Sequence, residues 1–158
     1  GASIAPTIML NALRAGYSVN TIVLLAGSLD PNLGKPRWFN RVAELRLVNA
    51  LIGHKLRSSN SEILRLHDEL LDQQARLLDA NVTTRLVLVQ GAHDKLVSPK
   101  NAAYVQTVWA NTFSQLIIEE IDDEGHFLPW RQRPLIKKHI LESLSQWAGE
   151  PQPIMKAK

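Results

Sequence analysis

The 158-residue chain contains no cysteine, and its hydrophobic residues never form one long continuous run. The absence of cysteine excludes disulfide frameworks, thiol nucleophiles and cysteine-ligated zinc or iron–sulfur sites. The longest apolar runs, Ile22–Ala26 and Leu86–Val89, fall far short of the ~20 residues that a membrane-spanning helix requires. We therefore expect no membrane span, and we interpret both runs as parts of strands.

A strong charge of either sign is also missing. The 18 lysine and arginine residues nearly balance the 15 aspartate and glutamate residues, which leaves a net charge of +3. A nucleic-acid interface needs a concentrated basic surface, whereas the cations here are scattered, so we expect no nucleic-acid partner. No secretory signal is visible in the sequence, and a cytoplasmic location is the favoured interpretation. With 45% hydrophobic residues, the chain suits one globular domain.

Three short segments rich in valine, isoleucine and leucine have the length and composition of buried strands. They are Thr21–Gly27, Arg85–Gln90 and Leu116–Ile121. Their apolar residues are nearly continuous rather than alternating, which is typical of parallel strands that are covered on both faces. Helical patterns precede, separate and follow these segments. The sequence therefore predicts an α/β fold with three parallel strands and flanking helices.

Apolar periodicity and capping residues predict the flanking helices. The first covers Ile4–Ala15, and another begins at Ser98-Pro99, where serine suits an N-cap and proline suits the first turn. In the last helix five apolar residues share one face: Leu135, Ile136, Ile140, Leu144 and Trp147. We expect the domain to cover residues 1–150, with a flexible tail over residues 151–158.

A long helical insertion separates the first two predicted strands and is expected over about residues 31–80. One helix is predicted over Arg37–Ile52. The pattern Ser59-x-x-Glu62 is a capping box, which predicts that a second helix begins at Ser59. The polar residues Ser58–Ser61 are interpreted as the break between the two helices.

Three motifs carry residues suited to nucleophilic catalysis. The chain opens with Gly1-Ala2-Ser3-Ile4-Ala5, immediately before a predicted helix. The second strand leads into Gly91-Ala92-His93-Asp94, and the third leads into Glu124-Gly125-His126-Phe127. These motifs resemble those of the α/β-hydrolase family, in which a G-x-S-x-G nucleophile elbow precedes the acid loop and the histidine loop along the chain. Alanine replaces the final glycine of that elbow, and the resemblance extends over roughly Gly1–Trp147.

The resemblance implies a partial α/β-hydrolase fold: the C-terminal portion of a bacterial esterase-like or lipase-like serine hydrolase, beginning at the nucleophile elbow. Ser3 would be the nucleophile, His126 the base, and Asp94 the acid that orients the histidine. The backbone N–H of Ile4 would be one oxyanion-hole donor. The implied substrate is an ester-like small molecule, and the implied chemistry needs no cofactor.

Several residues have alternative interpretations. Asp30 is an alternative acid, because some family members place the acid after the preceding strand. Asp94 is also suited to capping a turn. Asp122-Asp123-Glu124 followed by His126 would suggest a metal site, but consecutive carboxylates point in divergent directions. We therefore expect no metal and interpret the acidic run as a solvated loop.

The helical insertion occupies the position of the family's cap. Trp38 and Phe39 lie in it and are candidates for lining a substrate pocket.

The family's earlier strands and the loop that supplies the second oxyanion donor would precede Gly1. We therefore expect this chain by itself to be inactive or nearly so. The alternative is a non-catalytic truncated module that acts by self-association or small-ligand binding. The edge of Thr21–Gly27 would then be open to another strand, which predicts a homo-oligomer or a complex with the missing N-terminal half.

Overall fold

The computed structural model describes residues 2–33 and 54–149. A 3₁₀ turn over Ala2–Ile4 leads into eight further elements: α1 (Ala5–Arg14), β1 (Thr21–Leu25), α2 (His54–Leu78), β2 (Val82–Gly91), α3 (Lys100–Val108), β3 (Phe113–Ile121), α4 (Leu128–Arg131) and α5 (Arg133–Gly149). The predicted alternation of strands and helices is therefore confirmed.

The three strands form one sheet in the order β1-β2-β3, and both neighbouring pairs are parallel. Val87 in the central strand lies opposite Val23 on one side and Ile117 on the other. Because all three strands run in the same direction, their carboxyl ends meet at one edge of the sheet. The predicted fold class, three parallel strands with flanking helices, is confirmed.

Several strand bounds differ from the prediction, although β1 begins at Thr21 and β3 ends at Ile121 as predicted. β2 begins at Val82 rather than Arg85, and β3 begins at Phe113 rather than Leu116. The added residues at the start of these strands include polar side chains, which hydrogen bonds hold in place. In β2, Thr84 Oγ1 donates to the Val19 carbonyl at 2.6 Å. An apolar run does not reveal such polar ends. β1 ends at Leu25 because Ala26, with φ of 48°, leaves the extended conformation.

The core has two parts, one on each face of the sheet. Alternate residues of β2 point to opposite faces, so Leu86 and Leu88 pack on one side and Val87 and Val89 on the other. The first side is covered mainly by α1 and α3, with the fully buried Trp109 at its centre. The second side is covered by residues of α4 and α5. This two-sided burial is why the strands have nearly continuous apolar sequences.

Helix α2 lies in the insertion between β1 and β2, but it begins at His54, upstream of the predicted start. The prediction that Ser59 opens the helix, after a break over Ser58–Ser61, is wrong. Serine and asparagine are only modestly unfavourable inside a helix, so a long helix anchored elsewhere can include them. Buried Leu70 and Leu77 supply that anchor in its C-terminal half. The predicted helix over Arg37–Ile52 lies outside the described residues.

Helix α5 packs less deeply than its apolar face predicts. Ile136 is buried, whereas Ile140 and Leu144 are about half exposed, at 45% and 53%. The side chain of Trp147 lies outside the described residues. His139 is buried in the same helix, and its Nε2 lies 2.9 Å from Glu119 Oε1 on β3. None of the helices in the described ranges is long and apolar enough to cross a membrane.

Candidate active site

The loops after β2 and β3 lie side by side at the carboxyl edge of the sheet. The two strands remain paired up to Gly91 and Ile121, and backbone hydrogen bonds continue beyond that point. The N–H of Ala92 donates to the Ile121 carbonyl at 3.0 Å, and the N–H of His93 donates to the Glu124 carbonyl at 2.9 Å. The loop after β2 carries Asp94 and is called the acid loop, and the loop after β3 carries His126 and is called the histidine loop. These two loops are thus joined through their backbones.

Gly91 allows this close approach. A Cβ atom at Gly91 would lie 2.5 Å from the carbonyl oxygen of Glu124 and 2.7 Å from that of Gly125. Both distances are shorter than a real Cβ tolerates, and both contacts are with backbone. Glycine at this position therefore allows the histidine loop to lie directly against the end of β2.

Asp94 is buried, and its carboxylate receives four donors. Oδ1 accepts the backbone N–H groups of Leu96 and Val97, each at 2.8 Å. Oδ2 lies 2.9 Å from Nδ1 of His126 and accepts a longer hydrogen bond, 3.3 Å, from Nε2 of Gln90. The Asp94 carboxylate therefore lies within hydrogen-bond reach of the His126 ring.

The environment keeps Asp94 ionised. Burial acts to raise the pKa of Asp94, but hydrogen bonds from Val97, the His126 ring and Leu96, together with the charge of His126, hold that pKa below its usual value. An ionised carboxylate can only accept hydrogen bonds, so the network assigns a proton to Nδ1 of His126. In the neutral ring Nε2 is then unprotonated and able to accept a proton.

Ser3 and His126 line the same cleft, which has a volume of about 330 Å³. Ser3 Oγ accepts a hydrogen bond from the backbone N–H of Ser28 at 3.1 Å. Within the described residues, no hydrogen bond joins Ser3 to His126. Ser3 lies in the 3₁₀ turn before α1, and the described non-glycine residue with a positive φ is Ala26 instead. The backbone at Ser3 therefore lacks the strain expected of a nucleophile elbow.

Comparison with known proteins identifies the fold. No family model and no curated protein matches the chain. The solved structure of BorB, the type II thioesterase of the borrelidin biosynthetic cluster, matches with a TM-score of 0.56 and 16% identity, over 92% of this chain and 59% of that protein. An esterase from Pyrococcus furiosus matches with a TM-score of 0.51 and 15% identity, over 94% of this chain and 51% of that protein. The chain has a partial α/β-hydrolase fold.

The chain spans only a little more than half the length of these two α/β-hydrolase structures. At such low sequence identity the similarity establishes the fold alone.

Asp30, the alternative acid, is not placed against His126. Its carboxylate Oδ1 accepts the N–H of Asn32 at 2.8 Å, which closes a local turn. Its own N–H donates to Oδ1 of Asn101 at 2.9 Å. Among the described residues, the carboxylate that contacts the His126 ring is that of Asp94.

The other candidates are the backbone of Ile4 and two aromatic residues outside the described ranges, and two further aromatic rings follow His126 along the chain. Ile4 lies at the N-terminus of α1, where backbone N–H groups lack partners within the helix. The rings of Phe127 and Trp130 follow His126 and are largely exposed, at 63% and 62%, with their centroids 6.0 Å apart. Trp38 and Phe39 lie outside the described residues.

Two buried polar residues of the site are not evident from the sequence motifs. Gln90 is fully buried beneath Asp94. The prediction of a solvated acidic run is wrong for Glu124, which is only 7% exposed, although Asp122 and Asp123 are exposed. Its Oε1 accepts a hydrogen bond from Nε2 of Gln132 at 2.8 Å, which draws the carboxylate inward. The sequence signal for Gln90 is its position directly before the Gly91–Asp94 motif, whereas Glu124 belongs to the histidine motif but also to a run of three acidic residues.

In the two described ranges, 2–33 and 54–149, no cluster of histidine, aspartate and glutamate side chains is arranged to hold a metal ion.

Proposed function

We propose that the chain is the C-terminal part of a serine hydrolase that cleaves ester-like small molecules by acyl transfer. One observation carries this proposal: the Asp94–His126 pair, with 2.9 Å between Oδ2 and Nδ1, stands at a cleft that also contains the Ser3 hydroxyl. Serine, histidine and aspartate side chains in such proximity are the components of a catalytic triad.

In the proposed reaction, Nε2 of His126 takes the proton of Ser3 Oγ as that oxygen bonds to the carbonyl carbon of the ester. The backbone N–H of Ile4 stabilises the negative oxygen of the tetrahedral intermediate. The protonated ring then gives its proton to the leaving alcohol as the carbon–oxygen bond breaks. Water hydrolyses the acyl-enzyme by the same route, and ionised Asp94 stabilises the imidazolium each time it forms.

The lining of the cleft indicates the kind of substrate. Its described apolar residues are Ala2, Leu25, Ala26, Gly27, Val97, Pro129 and Trp130, and no described lining residue carries a formal charge at neutral pH apart from His126 when protonated. About 330 Å³ is at the small end of ligand pockets. We therefore expect a small, uncharged ester rather than a phosphorylated substrate.

The position of Ser3 predicts slow chemistry in this chain. Its Oγ is hydrogen-bonded to Ser28 N–H and makes no hydrogen bond to His126, so the proton-transfer path is not aligned. We expect acylation of Ser3 to be specific but slow, and turnover of esters to be nearly absent.

A fluorophosphonate probe followed by peptide mass spectrometry tests this function. We expect the probe to label Ser3 and the Ser3→Ala variant to remain unlabelled. Ser28→Ala is the matched control, because Ser28 lines the same cleft and contacts Ser3 only through its backbone N–H. This variant should keep the labelling rate. Labelling of Ser3 no faster than that of Ser28 would contradict a catalytic role.

A second candidate function, self-association without catalysis, is favoured by the open side of the sheet. In the sheet that residues 2–33 and 54–149 form, β1 is an edge strand. Beside it, Thr21 and Val23 form a groove of about 310 Å³ together with Ile140 and Leu144 of α5. An open edge beside exposed apolar side chains is a template for another strand. The occupant we propose is a second copy of this chain, paired symmetrically through β1.

Analytical ultracentrifugation at micromolar concentration tests this association. The 17.7 kDa chain should sediment as a dimer, and Leu144→Lys should convert it to a monomer. Leu71→Lys on α2 is the matched control, because Leu71 is similarly exposed, at 47% against 53% for Leu144. A wild-type monomer would refute the proposal, as would equal effects of the two variants.

A further inference from the structure

Gln90 is a buried polar residue at the end of β2 that none of the proposed catalytic steps uses. Its exposed fraction is 0%. Its Nε2 lies 3.3 Å from Asp94 Oδ2 and 3.4 Å from the carbonyl oxygen of Gly91. Both of these partners only accept hydrogen bonds, so the side-chain amide must direct its nitrogen toward them.

This orientation leaves the other half of the amide without a partner. Oε1 of Gln90 is buried and has no hydrogen-bond donor among the described residues. An unpaired buried acceptor destabilises a fold, and an apolar side chain of similar shape avoids that cost. Gln90 is thus a poor choice for stability alone, and its side-chain hydrogen bonds go to the Gly91 carbonyl and to the Asp94 carboxylate.

The contact complements the other hydrogen bonds of the carboxylate. Two backbone N–H groups hold Oδ1 of Asp94, but among the described residues the other hydrogen-bond partner of Oδ2 is the partly exposed His126 ring. A second donor at Oδ2 fixes the plane of the carboxylate from the protein interior. The His126 ring then meets an oxygen that is already in position.

We propose that Gln90 is a positioning residue that orients Asp94 Oδ2 toward Nδ1 of His126. Its chemical purpose rests on the proposed hydrolase function, since orientation of the histidine matters only if that ring transfers protons. Its structural effect on the Asp94–His126 pair does not depend on Ser3 being reactive.

Proton NMR of the His126 Nδ1–H, combined with thermal unfolding, tests the proposal on the chain as it exists. In Gln90→Met we expect the hydrogen-bonded Nδ1–H signal to move upfield or to be lost by exchange with water. We expect the melting temperature to be equal to or above that of the wild type, because the unpaired Oε1 is gone. A purely structural role of Gln90 predicts an unchanged Nδ1–H signal and a lower melting temperature.

Gln73→Met is the matched control. Gln73 is also buried, at 1% exposed, and also has one half of its amide paired, through a 3.0 Å hydrogen bond from Thr7 Oγ1 to its Oε1. It lies on α2, outside the site. This variant should lose the Thr7 hydrogen bond and leave the His126 signal unchanged.

A second variant, Gln90→Leu, shows whether the result depends on how well the methionine side chain of Gln90→Met fits the site. If both Gln90 variants unfold where Gln73→Met stays folded, Gln90 is structural and the proposal is overturned. An unchanged His126 signal in a folded Gln90 variant also overturns it.

The fluorophosphonate reaction separates this inference from the proposed function. If Ser3 is reactive, Gln90→Met should slow its labelling by on the order of tenfold, because small misplacements of reacting groups are costly. If wild-type Ser3 is not labelled, the hydrolase proposal fails, while the NMR comparison still decides whether Gln90 positions Asp94.

Discussion

Substitution of Gly91 by alanine is expected to separate the acid loop from the histidine loop. The new Cβ would lie 2.5 Å from the Glu124 carbonyl oxygen, and ordinary contact begins at 3.4 Å. The two loops would have to move apart by about 0.9 Å, the difference between these distances. Because the obstacle is backbone, no side-chain rotation relieves it.

The displacement acts directly on the Asp94–His126 pair. A separation of 2.9 Å that increases by most of an ångström is no longer a hydrogen bond. Overpacking of a well-packed site costs about 1–3 kcal/mol. The lost hydrogen bond adds about 1 kcal/mol, a modest value because the His126 side chain is 33% exposed. We expect Gly91→Ala to lower the free energy of unfolding by about 2–4 kcal/mol.

Thermal unfolding measured by circular dichroism reads out this change. For a domain of this size, 1 kcal/mol corresponds to about 2–4 °C in melting temperature. The matched control is Gly125→Ala in the histidine loop, where the nearest atom to a new Cβ is the His93 carbonyl oxygen at 3.6 Å, an ordinary contact. We expect the control to change the melting temperature little and to retain the His126 Nδ1–H signal.

A Gly91→Ala variant that has the melting temperature of the wild type and keeps the Nδ1–H signal would refute the predicted separation of the two loops. The prediction is also refuted if Gly125→Ala is equally damaging, because the effect would then come from replacing any glycine in the loops rather than from the close approach at Gly91.

Two further predictions concern hydrogen bonds of buried side chains. Asp94→Asn should lower the free energy of unfolding at neutral pH. Measured by urea unfolding, the difference in this free energy between variant and wild type should shrink as the pH falls through and below the ordinary range of aspartate pKa values. The sign follows from the lowered pKa of Asp94: its ionised form stabilises the fold above that range, and this stability is lost on protonation of the folded state. Asn101→Ala should lower the free energy of unfolding by about 2–4 kcal/mol, because the Oδ1 of this buried residue accepts the N–H groups of Leu29 and Asp30 at 2.7 and 2.9 Å. An Asn101→Ala midpoint equal to that of wild type in urea unfolding would contradict this.

The centre of the sheet could be predicted from the sequence because burial on both faces leaves a direct mark on composition. Leu86 to Val89 are four consecutive residues with no exposed surface, so an apolar run and a central strand coincide. The meeting of Asp94 and His126 could also be predicted, since both follow neighbouring parallel strands at the same edge. The motifs and the strand order both predict that Asp94 and His126 lie close together.

Other features depend on contacts that no local pattern encodes. The burial of Glu124 results from Gln132 in the following segment, and the role of Gln90 depends on the loop that brings Asp94 over it. The start of α2 is determined by packing far along the same helix rather than by its own polar residues. The backbone of Ser3 differs from the elbow motif in forming a 3₁₀ turn, and Ser3 Oγ accepts a hydrogen bond from the Ser28 N–H.

The backbone hydrogen bonds between the acid loop and the histidine loop bear on how such a site can diversify. His93 N–H to the Glu124 carbonyl and Ala92 N–H to the Ile121 carbonyl use no side-chain atoms. Substitutions at Ala92 and His93 can therefore accumulate without changing the spacing of the two loops, provided that Gly91 is kept. A separate wall of the cleft is lined by Ser3 and Ser28, which are hydrogen-bonded to each other. During evolution, substitutions in that wall can thus change which ligand the cleft binds, while the Asp94–His126 pair is inherited unchanged.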